Sequence, residues 1–386
     1  MRIAVIAPPW LPVPPNGYGG TELVLDTLCR GLAAAGHDVL LYASGDSTCP
    51  VERAWTYAEH LGTVGTNPAA ELRHVMDAYE AAAAWGADAI HDHTITGPVW
   101  ADVRGRCPVV TTNHGPFNDE LAPIYRRVGP HVPIIAISHH QAATARDIPI
   151  HAVIHHGIDL TGVAPGAGSG NYAAFLGRMN PDKGVDRAIR VARQAGMPLL
   201  IAAKMREPAE GAYYEQVVRP LLGGDVEYIG EVAGDDKDRF LADAVCLLNP
   251  IAWPEPFGMV MIESLARGTP VVATPMGAAP EIVDDGRTGY LRTGDAALAG
   301  ALLDAAHLDR SACRRAAETR FSMERAAADH HAVYTGLTAA AGARDTELAS
   351  MLQAASANGH IAGRDGGLRS QDSADGDGQA DRRISV

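Results

Sequence analysis

The sequence predicts an α/β protein built from two doubly wound domains. The chain has 386 residues, 47% of them hydrophobic, so it is long enough for two domains and can bury a core in each. Apolar runs of strand length alternate with helical patterns, as in parallel sheets covered by helices. A segment rich in Gly, Ala and Pro at 160–170 interrupts this alternation and has the composition of a linker. We therefore predict a first domain at 1–164 and a second domain at 165–320.

Charge and cysteine content limit the partners of the chain. The formal net charge of −14 argues against binding to nucleic acid or to anionic lipid. The five cysteines show no C-x-x-C spacing, which favours buried free thiols in a reducing cytoplasm. The apolar run at 2–7 is a short strand that meets two prolines rather than a signal peptide, and no apolar run approaches the roughly 18 residues of a membrane span. These features predict a cytoplasmic protein without a transmembrane segment.

The first half of the chain predicts strands and helices in alternation. Apolar runs predict strands at 2–7, 36–42, 87–93, 108–112, 133–138 and 152–159, and a helical pattern covers 69–85. The first strand leads through a Pro-rich loop into Gly17-Tyr-Gly-Gly-Thr-Glu22, which opens a helix. Gly19 and Gly20 allow close approach of the backbone to a ligand, and a helix N-terminus favours phosphate. A plain turn between strand and helix is the alternative interpretation.

Histidines follow two of these strands. His91 and His93 lie on one face of the strand at 87–93, and His114 follows the next strand in Asn113-His-Gly-Pro116. No third ligand follows His91 and His93, so we expect structural or acceptor-side contacts there rather than a metal. An imidazole at His114 can hydrogen-bond a sugar or a phosphate as negative charge develops, and a purely structural histidine is the alternative.

The second half opens with a strand at 173–178 that delivers Arg178 into a loop. Lys183 follows five residues later, beside the next helix start at Gly184. Two cations at this spacing across a turn can converge on one diphosphate and neutralise it. Lysine occurs only three times in the chain, which favours a functional Lys183 over a solvated surface residue.

A strand, loop, helix and strand at 244–273 carry two carboxylates, Glu255 and Glu263. Apolar residues predict the first strand, a Pro-rich loop follows, and the helical pattern runs from Gly258 to a C-terminal glycine, Gly268. In parallel α/β sheets the loop after a strand lies where ligands bind. Two unrelated glutamates, one in the loop and one on the helix surface, are the alternative.

Backbone groups beside Glu255 predict an anion site. The N–H groups of Phe257, Gly258 and Met259, together with the helix dipole, suit a diphosphate. Glu263 lies more than one turn further along, where a carboxylate can accept hydrogen bonds from vicinal hydroxyls. The layout suits a sugar nucleotide, with its sugar at Glu255, its phosphates at the helix start and its ribose at Glu263.

The residues around the two glutamates resemble a known family. Glu255-Pro-Phe-Gly-Met-Val-Met-Ile-Glu263 is similar to the E-x7-E signature of the retaining glycosyltransferases of family 4, which have the GT-B fold. The resemblance extends through 268–274, 277–281 and 285–289 and covers roughly 1–340. It implies two Rossmann-like domains that face a central cleft, with a helix at 321–340 crossing back to the first domain. The tail at 341–386, rich in Gly, Asp, Ser and Ala, is expected to be disordered.

The resemblance also implies the roles of individual residues. Catalytic roles fall to His114 and Glu255, and donor-binding roles to Gly19, Gly20, Arg178, Lys183, Phe257, Gly258, Met259 and Glu263. The loop at 230–232 resembles one that contacts the nucleobase, largely through its backbone. No metal and no cofactor are expected, because the nucleotide sugar is a substrate and cationic side chains hold its phosphates.

The implied reaction is transfer of a hexosyl unit, with retention of configuration, from a nucleotide sugar to an acceptor hydroxyl. A UDP-hexose is favoured and GDP-mannose comes next, on family frequency alone. The acceptor, a small molecule or a glycan, and the oligomeric state are left open. A sugar-nucleotide epimerase and a non-catalytic sugar-nucleotide-binding protein of the same fold are the alternatives, and the intact motif residues favour the transferase.

Overall fold

The computed structural model describes residues 1–62, 67–104 and 107–359, which form two parallel β-sheets covered by helices. Within these residues the first sheet consists of β1 (Arg2–Ile6), β2 (Asp38–Tyr42), β3 (Glu52–Ala54), β4 (Ala89–Asp92), β5 (Val109–Thr112), β6 (Ile134–Ala136) and β7 (Ile150–Val153). The helices between them are α1 (Gly20–Ala34), α2 (Pro68–Trp85), α3 (Gly97–Arg104), α4 (Ala122–Val128) and α5 (His139–Thr144). The strands lie in the order 3-2-1-4-5-6-7, so the direction of winding reverses between β1 and β4.

Helices cover both faces of the first sheet. Ile3 and Val5 of β1 belong to one hydrophobic core together with side chains of α1, and Ala4 and Ile6 belong to another together with side chains of α2. Successive residues of a strand point to opposite faces, so a strand buried on both faces is apolar throughout. This explains the unbroken apolar run at the start of the chain.

The second sheet has the same architecture. In the described part of the chain its strands are β8 (Ala173–Arg178), β9 (Leu199–Lys204), β10 (Val226–Gly230), β11 (Cys246–Asn249), β12 (Val271–Ala273) and β13 (Gly289–Leu291). Its helices are α6 (Val185–Ala195), α7 (Pro208–Tyr213), α8 (Gly234–Asp243), α9 (Met259–Ala266), α10 (Ala279–Ile282), α11 (Asp295–Ala305) and α12 (Arg310–Arg320). The strand order 10-9-8-11-12-13 reverses between β8 and β11. Ligands bind at such reversals in doubly wound sheets.

The segment between the sheets, 154–172, is anchored rather than loose. Backbone N–H groups of Gly166 and Gly170 donate to carbonyls of 267 and 243 at 2.8 Å each. The Arg310 guanidinium donates to the carbonyls of Gly166 (2.8 Å) and of residues 242 and 244 (2.9 and 3.0 Å) and to the Thr269 hydroxyl (2.6 Å). Although this segment has the composition of a flexible linker, hydrogen bonds fix it on the second half of the chain.

In the first half of the chain, one predicted strand has different bounds in the structure and one strand was not predicted. The strand predicted at 152–159 is β7, Ile150–Val153, because from Ile154 the chain leaves the sheet and Ile158 pairs instead with Ser322. The short edge strand β3, Glu52–Ala54, was not predicted, because it is polar and has no apolar alternation.

The last helix, α13 (Met323–Gly359), is longer than the sequence predicts. Its first half packs on the first sheet, where Ala327 and Tyr334 are buried. The expectation of disorder from 341 is wrong for 341–359, because alanines and other good helix formers follow and neither Gly nor Pro occurs between Gly342 and Gly359. The rest of the predicted disordered tail, 360–386, lies outside the described residues.

Candidate active site

The loop between β11 and α9 fixes Glu255 through its backbone. The carbonyl of Glu255 accepts from the N–H of Ala278 at 3.0 Å, and the Thr274 hydroxyl donates to the carbonyl of Ile251 at 2.8 Å. Gly277, in a left-handed conformation (φ +58°), packs directly on this loop, since a Cβ there would lie 2.1 Å from the carbonyl oxygen of Glu255. The position of the carboxylate is therefore set by glycine packing as well as by hydrogen bonds.

The start of α9 presents free backbone donors. Gly258 precedes the helix with φ +107°, a conformation that side chains other than glycine rarely adopt. Among the described residues, no protein group accepts from the N–H groups of Phe257, Gly258 or Met259. The Phe257 ring is buried in the core, so this residue can offer a ligand only its backbone. The three amides are therefore available for the anion that the sequence predicts at this position.

Lys183 and Glu255 form an ion pair. Lys183 ends a short 3₁₀ turn after β8, and this turn is tied to the Glu255 loop by the Ala252 N–H, which donates to the carbonyl of Asp182 at 2.9 Å. The Lys183 ammonium bonds Glu255 Oε1, and the two side chains are only 8% and 14% exposed. The sequence assigns Lys183 to the diphosphate and Glu255 to the sugar, and the structure brings both to one point at the β8–β11 reversal.

Several polar atoms in and around this pair are buried and have no hydrogen-bond partner among the residues that the structure describes. Glu255 Oε2, Trp253 Nε1 and Asn249 Nδ2 all belong to the end of β11 and the loop after it. Buried polar groups are normally satisfied, and each exception requires an explanation, such as a catalytic role or a missing water or ion. The three atoms are candidates for contacts with a polar ligand.

Arg178 lies at the carboxyl end of β8, half-buried. In the described part of the chain its guanidinium has neither an ion pair nor a hydrogen bond. Its guanidinium is therefore free to bind a phosphate beside Lys183.

Glu263 has a cationic partner that the sequence analysis missed. Lys237, on α8, donates to Glu263 Oε1 at 2.7 Å, and this neighbouring carboxylate raises the pKa of Lys237. Lys237 is another of the three lysines, and this scarcity was the signal that could have found it. The pair orients the carboxylate to which the sequence assigns the ribose.

The glycine-rich loop of the first half contacts the second half. The Tyr18 N–H donates to Glu231 Oε1 at 2.8 Å, and Arg206 donates to the same oxygen at 2.7 Å. Gly19 caps α1, and a Cβ at Gly20 would meet no other group within 4 Å. The loop at 230–232, which the family resemblance places at the nucleobase, therefore lies against the loop that carries Gly19 and Gly20.

His114 is hydrogen-bonded to a second imidazole. His93 Nδ1 lies 2.9 Å from His114 Nε2, and the outer nitrogens, His93 Nε2 and His114 Nδ1, are buried without a partner within the described ranges. One proton occupies the shared hydrogen bond when both rings are neutral. The pair therefore offers one N–H and one lone pair to its surroundings, and the tautomer of one ring fixes the tautomer of the other.

This pair is part of a cluster of five histidines. It consists of His91, His93, His114, His156 and His330, with His91 and His93 ring centroids 3.9 Å apart and His114 and His156 stacked at 5.2 Å. His91 is held by the Tyr334 hydroxyl (2.7 Å) and the Thr112 hydroxyl (2.8 Å). Burial lowers the pKa of His114 and of His330 to about 4, and it lowers the pKa of the other three well below 6.5. All five rings are neutral at pH 7.

Acid is expected to destabilise the protein through these rings. Their pKa values are lowered in the folded chain, so between about pH 6.5 and pH 4 the unfolded chain binds more protons and stability falls as the pH falls. Asp92, whose pKa burial raises to about 6, and Glu22 and Asp26, whose pKa values burial also raises, act in the opposite direction but are fewer than the five histidines. We expect the melting temperature to drop between pH 7 and pH 5, and to drop less in His330→Phe. An equal drop in both proteins would contradict this assignment.

His93 is expected to act by positioning His114. The amide of asparagine can occupy the place of His93 Nδ1, whereas the amide of glutamine reaches the place of Nε2. We expect His93→Asn to keep transfer activity within a few-fold, and His93→Gln to lose on the order of 10- to 100-fold, mostly in kcat. Steady-state kinetics on both variants tests this, and a better-preserved glutamine variant would show that Nε2 contacts the substrate directly.

A further cluster joins the two halves at Glu281. Its carboxylate accepts from the backbone N–H groups of His139 (2.8 Å) and His140 (2.6 Å) and from His155 Nε2 (2.7 Å). Among the described residues, His139, His155 and Glu281 are the one group of three or more His, Cys, Asp or Glu residues whose possible metal-ligand atoms all lie within 4.8 Å of one another. The hydrogen bonds already engage both carboxylate oxygens, so we assign this cluster to contacts between the halves, and the absence of a metal stays a prediction.

Two family models match the chain, one in each half. The model for Glycosyltransferase Family 4 matches residues 18–161, and the model for Glycosyl transferases group 1 matches residues 170–307. The chain belongs to the family 4 type of glycosyltransferases. The first match ends and the second begins within the segment between the sheets, so each half of the chain matches a glycosyltransferase model.

Curated relatives of this family 4 chain match it over part of their length. The D-inositol 3-phosphate glycosyltransferase of Mycobacterium bovis is 28% identical over 245 residues, which cover 54% of this chain and 51% of that protein. An uncharacterized glycosyltransferase of Methanocaldococcus jannaschii is 29% identical over 142 residues, which cover 36% of this chain and 38% of that protein. The chain thus spans about a third to a half of the length of the first curated relatives it matches.

Solved structures establish the fold of the family 4 chain. The sucrose-phosphate synthase of Thermosynechococcus elongatus superposes with a TM-score of 0.74 at 22% identity, covering 88% of this chain and 99% of that one. Anabaena HepE, solved in complex with UDP and glucose, superposes with a TM-score of 0.68 at 20% identity, covering 87% and 100%. The predicted GT-B fold is confirmed. No helix within the described residues is long and apolar enough to cross a membrane.

Proposed function

We propose that the chain transfers a hexosyl unit from a nucleotide sugar to an acceptor hydroxyl with retention of configuration. The observation that carries this proposal is that the Lys183–Glu255 pair lies beside the free amides at the start of α9, at the β8–β11 reversal where β8 ends in Arg178. A cationic and dipolar site beside an oriented carboxylate suits a diphosphate joined to a sugar. A UDP-hexose is the first candidate donor, in line with the UDP-glucose complex of Anabaena HepE, and GDP-mannose is the next.

The diphosphate would lie against Arg178, Lys183 and the α9 amides. The bond from the anomeric carbon to the phosphate oxygen breaks, and its electron pair leaves on the diphosphate, where the two cations and the helix start stabilise the developing charge. The acceptor oxygen attacks the anomeric carbon on the face that the leaving group vacates. Its proton passes to the departing phosphate oxygen. This same-face route preserves configuration without a covalent glycosyl intermediate.

Each carboxylate has a distinct task in this proposal. Glu255, held by Lys183 and by the Gly277 contact, positions the hydroxyls of the donor sugar. Glu263, held by Lys237, accepts from the ribose hydroxyls. His114 approaches from the first sheet and donates to, or accepts from, the donor sugar or the phosphate.

Metal independence is part of the proposal. Two cationic side chains and three backbone amides already face the diphosphate, so charge neutralisation needs no divalent ion. We expect transfer to survive EDTA at full rate. Loss of activity that Mg²⁺ or Mn²⁺ restores would contradict this, and restoration by Zn²⁺ alone would point to the cluster at Glu281.

A donor panel tests the proposed function. UDP-glucose, UDP-N-acetylglucosamine and GDP-mannose would be compared by calorimetry and by slow donor hydrolysis followed by NMR, first without an acceptor. Release of a sugar with retained configuration supports the transferase. Formation of an epimeric sugar nucleotide supports the epimerase, and binding without turnover under any acceptor supports the non-catalytic protein.

A further inference from the structure

The His156 imidazole lies between the histidine pair of the first half and the Glu255 loop of the second half. It stacks on the His114 ring, with ring centroids 5.2 Å apart and an angle of 23° between the ring planes. It meets the Phe257 ring edge to face, with centroids 4.9 Å apart and the planes at 70°. His156 therefore contacts both the proposed catalytic imidazole and the residue whose backbone N–H belongs to the candidate anion site.

The backbone around His156 is fixed. The Arg325 guanidinium, on α13, donates to the carbonyls of His155 (2.7 Å) and His156 (2.9 Å). Gly157 packs directly on the start of the same helix, since a Cβ there would lie 2.7 Å from the carbonyl oxygen of Ser322. His156 is only 6% exposed, so its ring cannot turn without displacing its neighbours.

Two contacts together fix the orientation of His114. The hydrogen bond between His93 Nδ1 and His114 Nε2 fixes one axis but leaves the ring able to rotate about that axis. Stacking on His156 opposes this rotation, because a stack requires the two ring planes to stay nearly parallel. His114 Nδ1, which has no partner among the described residues, then points in one direction.

The His156 ring itself makes no hydrogen bond in the part of the chain that the structure describes. Its aromatic contacts there are His114 and Phe257. Burial lowers the pKa of His156 well below 6.5, so the ring is neutral at pH 7 and stacks on a neutral His114 without charge repulsion. These contacts favour a role through the orientation of His114 over a role through a charge on His156.

We propose that His156 is a positioning residue, which packs between His114 and Phe257 and thereby holds the His114 imidazole at a fixed place relative to the donor phosphates. The assignment rests on the proposed function, in which His114 acts on the donor sugar or the phosphate. The ring of Phe257 and its backbone N–H belong to one buried residue, so a contact with the ring is also a reference to the anion site. His156 itself touches neither substrate.

Two substitutions of His156 and a matched control test this role. His156→Phe keeps an aromatic ring in the stack, and we expect slow hydrolysis of UDP-glucose, or of the donor that the panel selects, to stay within a few-fold of wild type. His156→Leu removes the ring, and we expect kcat to fall on the order of 10- to 100-fold while the Kd of UDP stays unchanged. His330→Leu is the control, because the His330 ring belongs to the same buried cluster but lies against His91 and Tyr334. It should lower the melting temperature as much as His156→Leu does and leave kcat unchanged.

Three results would overturn the proposal. Equal losses of kcat in His156→Leu and His330→Leu would show that the ring only stabilises the fold. Equal losses in His156→Phe and His156→Leu would show that a nitrogen of His156 contacts the substrate. A weaker Kd of UDP at unchanged kcat would show that the residue acts on donor binding.

NMR of the histidine rings tests the same contact without turnover. In the wild-type protein, UDP should shift the ring signals of His114 and His156 and leave those of His330 unchanged. Phe257→Leu removes the stack from its other side but keeps the backbone N–H, so it should reduce the shift at His114 and lower kcat as His156→Leu does. This variant keeps the test decisive if His156→Leu does not fold, and a full shift at His114 in Phe257→Leu would contradict the proposal.

The outcome is separable from that of the proposed function. If UDP shifts the His114 signals in a Phe257-dependent manner but no donor is hydrolysed or transferred, the positioning contact stands and the transferase proposal fails. If transfer proceeds and His156→Leu keeps the wild-type kcat, the transferase stands and the positioning role is wrong.

Discussion

Lys183→Ala is expected to lower both activity and stability, whereas Arg178→Ala should lower activity alone. Each variant removes a preorganised cation from the proposed leaving group, which corresponds to about 10²-fold or more in kcat/KM. Lys183 also neutralises Glu255 in a nearly buried pair, and truncating one partner of such a pair costs roughly 3–5 kcal/mol of unfolding free energy. Arg178 has no such partner in the part of the chain that the structure describes, so its removal leaves no uncompensated charge.

A double variant separates the two effects of Lys183. Lys183→Met with Glu255→Gln removes both charges, so much of the melting temperature should return while activity stays low. Thermal unfolding and steady-state kinetics on the two single variants and the double variant measure this. Near-normal kcat/KM in either single variant would disprove the diphosphate assignment, and an unchanged melting temperature in Lys183→Ala would show that the pair contributes no stability.

Glu255→Gln and Glu263→Gln are expected to lower activity through different kinetic parameters. Glu255 acts on the sugar, where positioning matters most at the transition state, so its variant should lose on the order of 10²-fold in kcat. Because the change also frees Lys183 from its carboxylate partner, affinity for the nucleoside diphosphate product should stay the same or increase. Glu263 acts on the ribose in the ground state and the transition state alike. Its variant should therefore chiefly raise KM and weaken binding of the nucleoside diphosphate product.

Calorimetry with the nucleoside diphosphate decides between these roles. Lys237→Met is the comparison for Glu263, since it leaves the carboxylate in place but removes the partner that orients it. It should weaken the product less than Glu263→Gln does. The assignment fails if Glu255→Gln weakens the product as much as Glu263→Gln.

The sequence predicts the location of the site because a parallel α/β sheet leaves little choice. Residues that follow strands of one sheet meet at one edge, so strand patterns placed His114 at the edge of the first sheet and Arg178 and Glu255 at the edge of the second, and the family resemblance implied that these edges face one cleft. The helix start at Gly258 was predicted from the glycine and from the change of the apolar residues to helical spacing. These inferences depend on local sequence patterns, which determine the local structure in the folded chain.

The partners within the site could not be predicted, since they join residues distant in sequence. Lys183 and Glu255 are 72 residues apart, Lys237 and Glu263 are 26 apart, and a linear pattern carries no information on which cation meets which carboxylate. His93 was excluded as a metal ligand and left without a definite role, because its partner, His114, lies on the next strand. The polar edge strand β3 shows no apolar alternation at all.

The chain passes between its two halves twice, and both passages lie side by side. Ile158 and Ser322 form a parallel bridge, in which the Ile158 N–H donates to the carbonyl of Phe321 and the Met323 N–H donates to the carbonyl of Ile158, at 2.9 Å each. Arg310 fixes the segment that follows Ile158, so its glycines add no slack. The two connections are therefore joined at Ile158 and Ser322, so a rotation of one half against the other would bend both backbone stretches there.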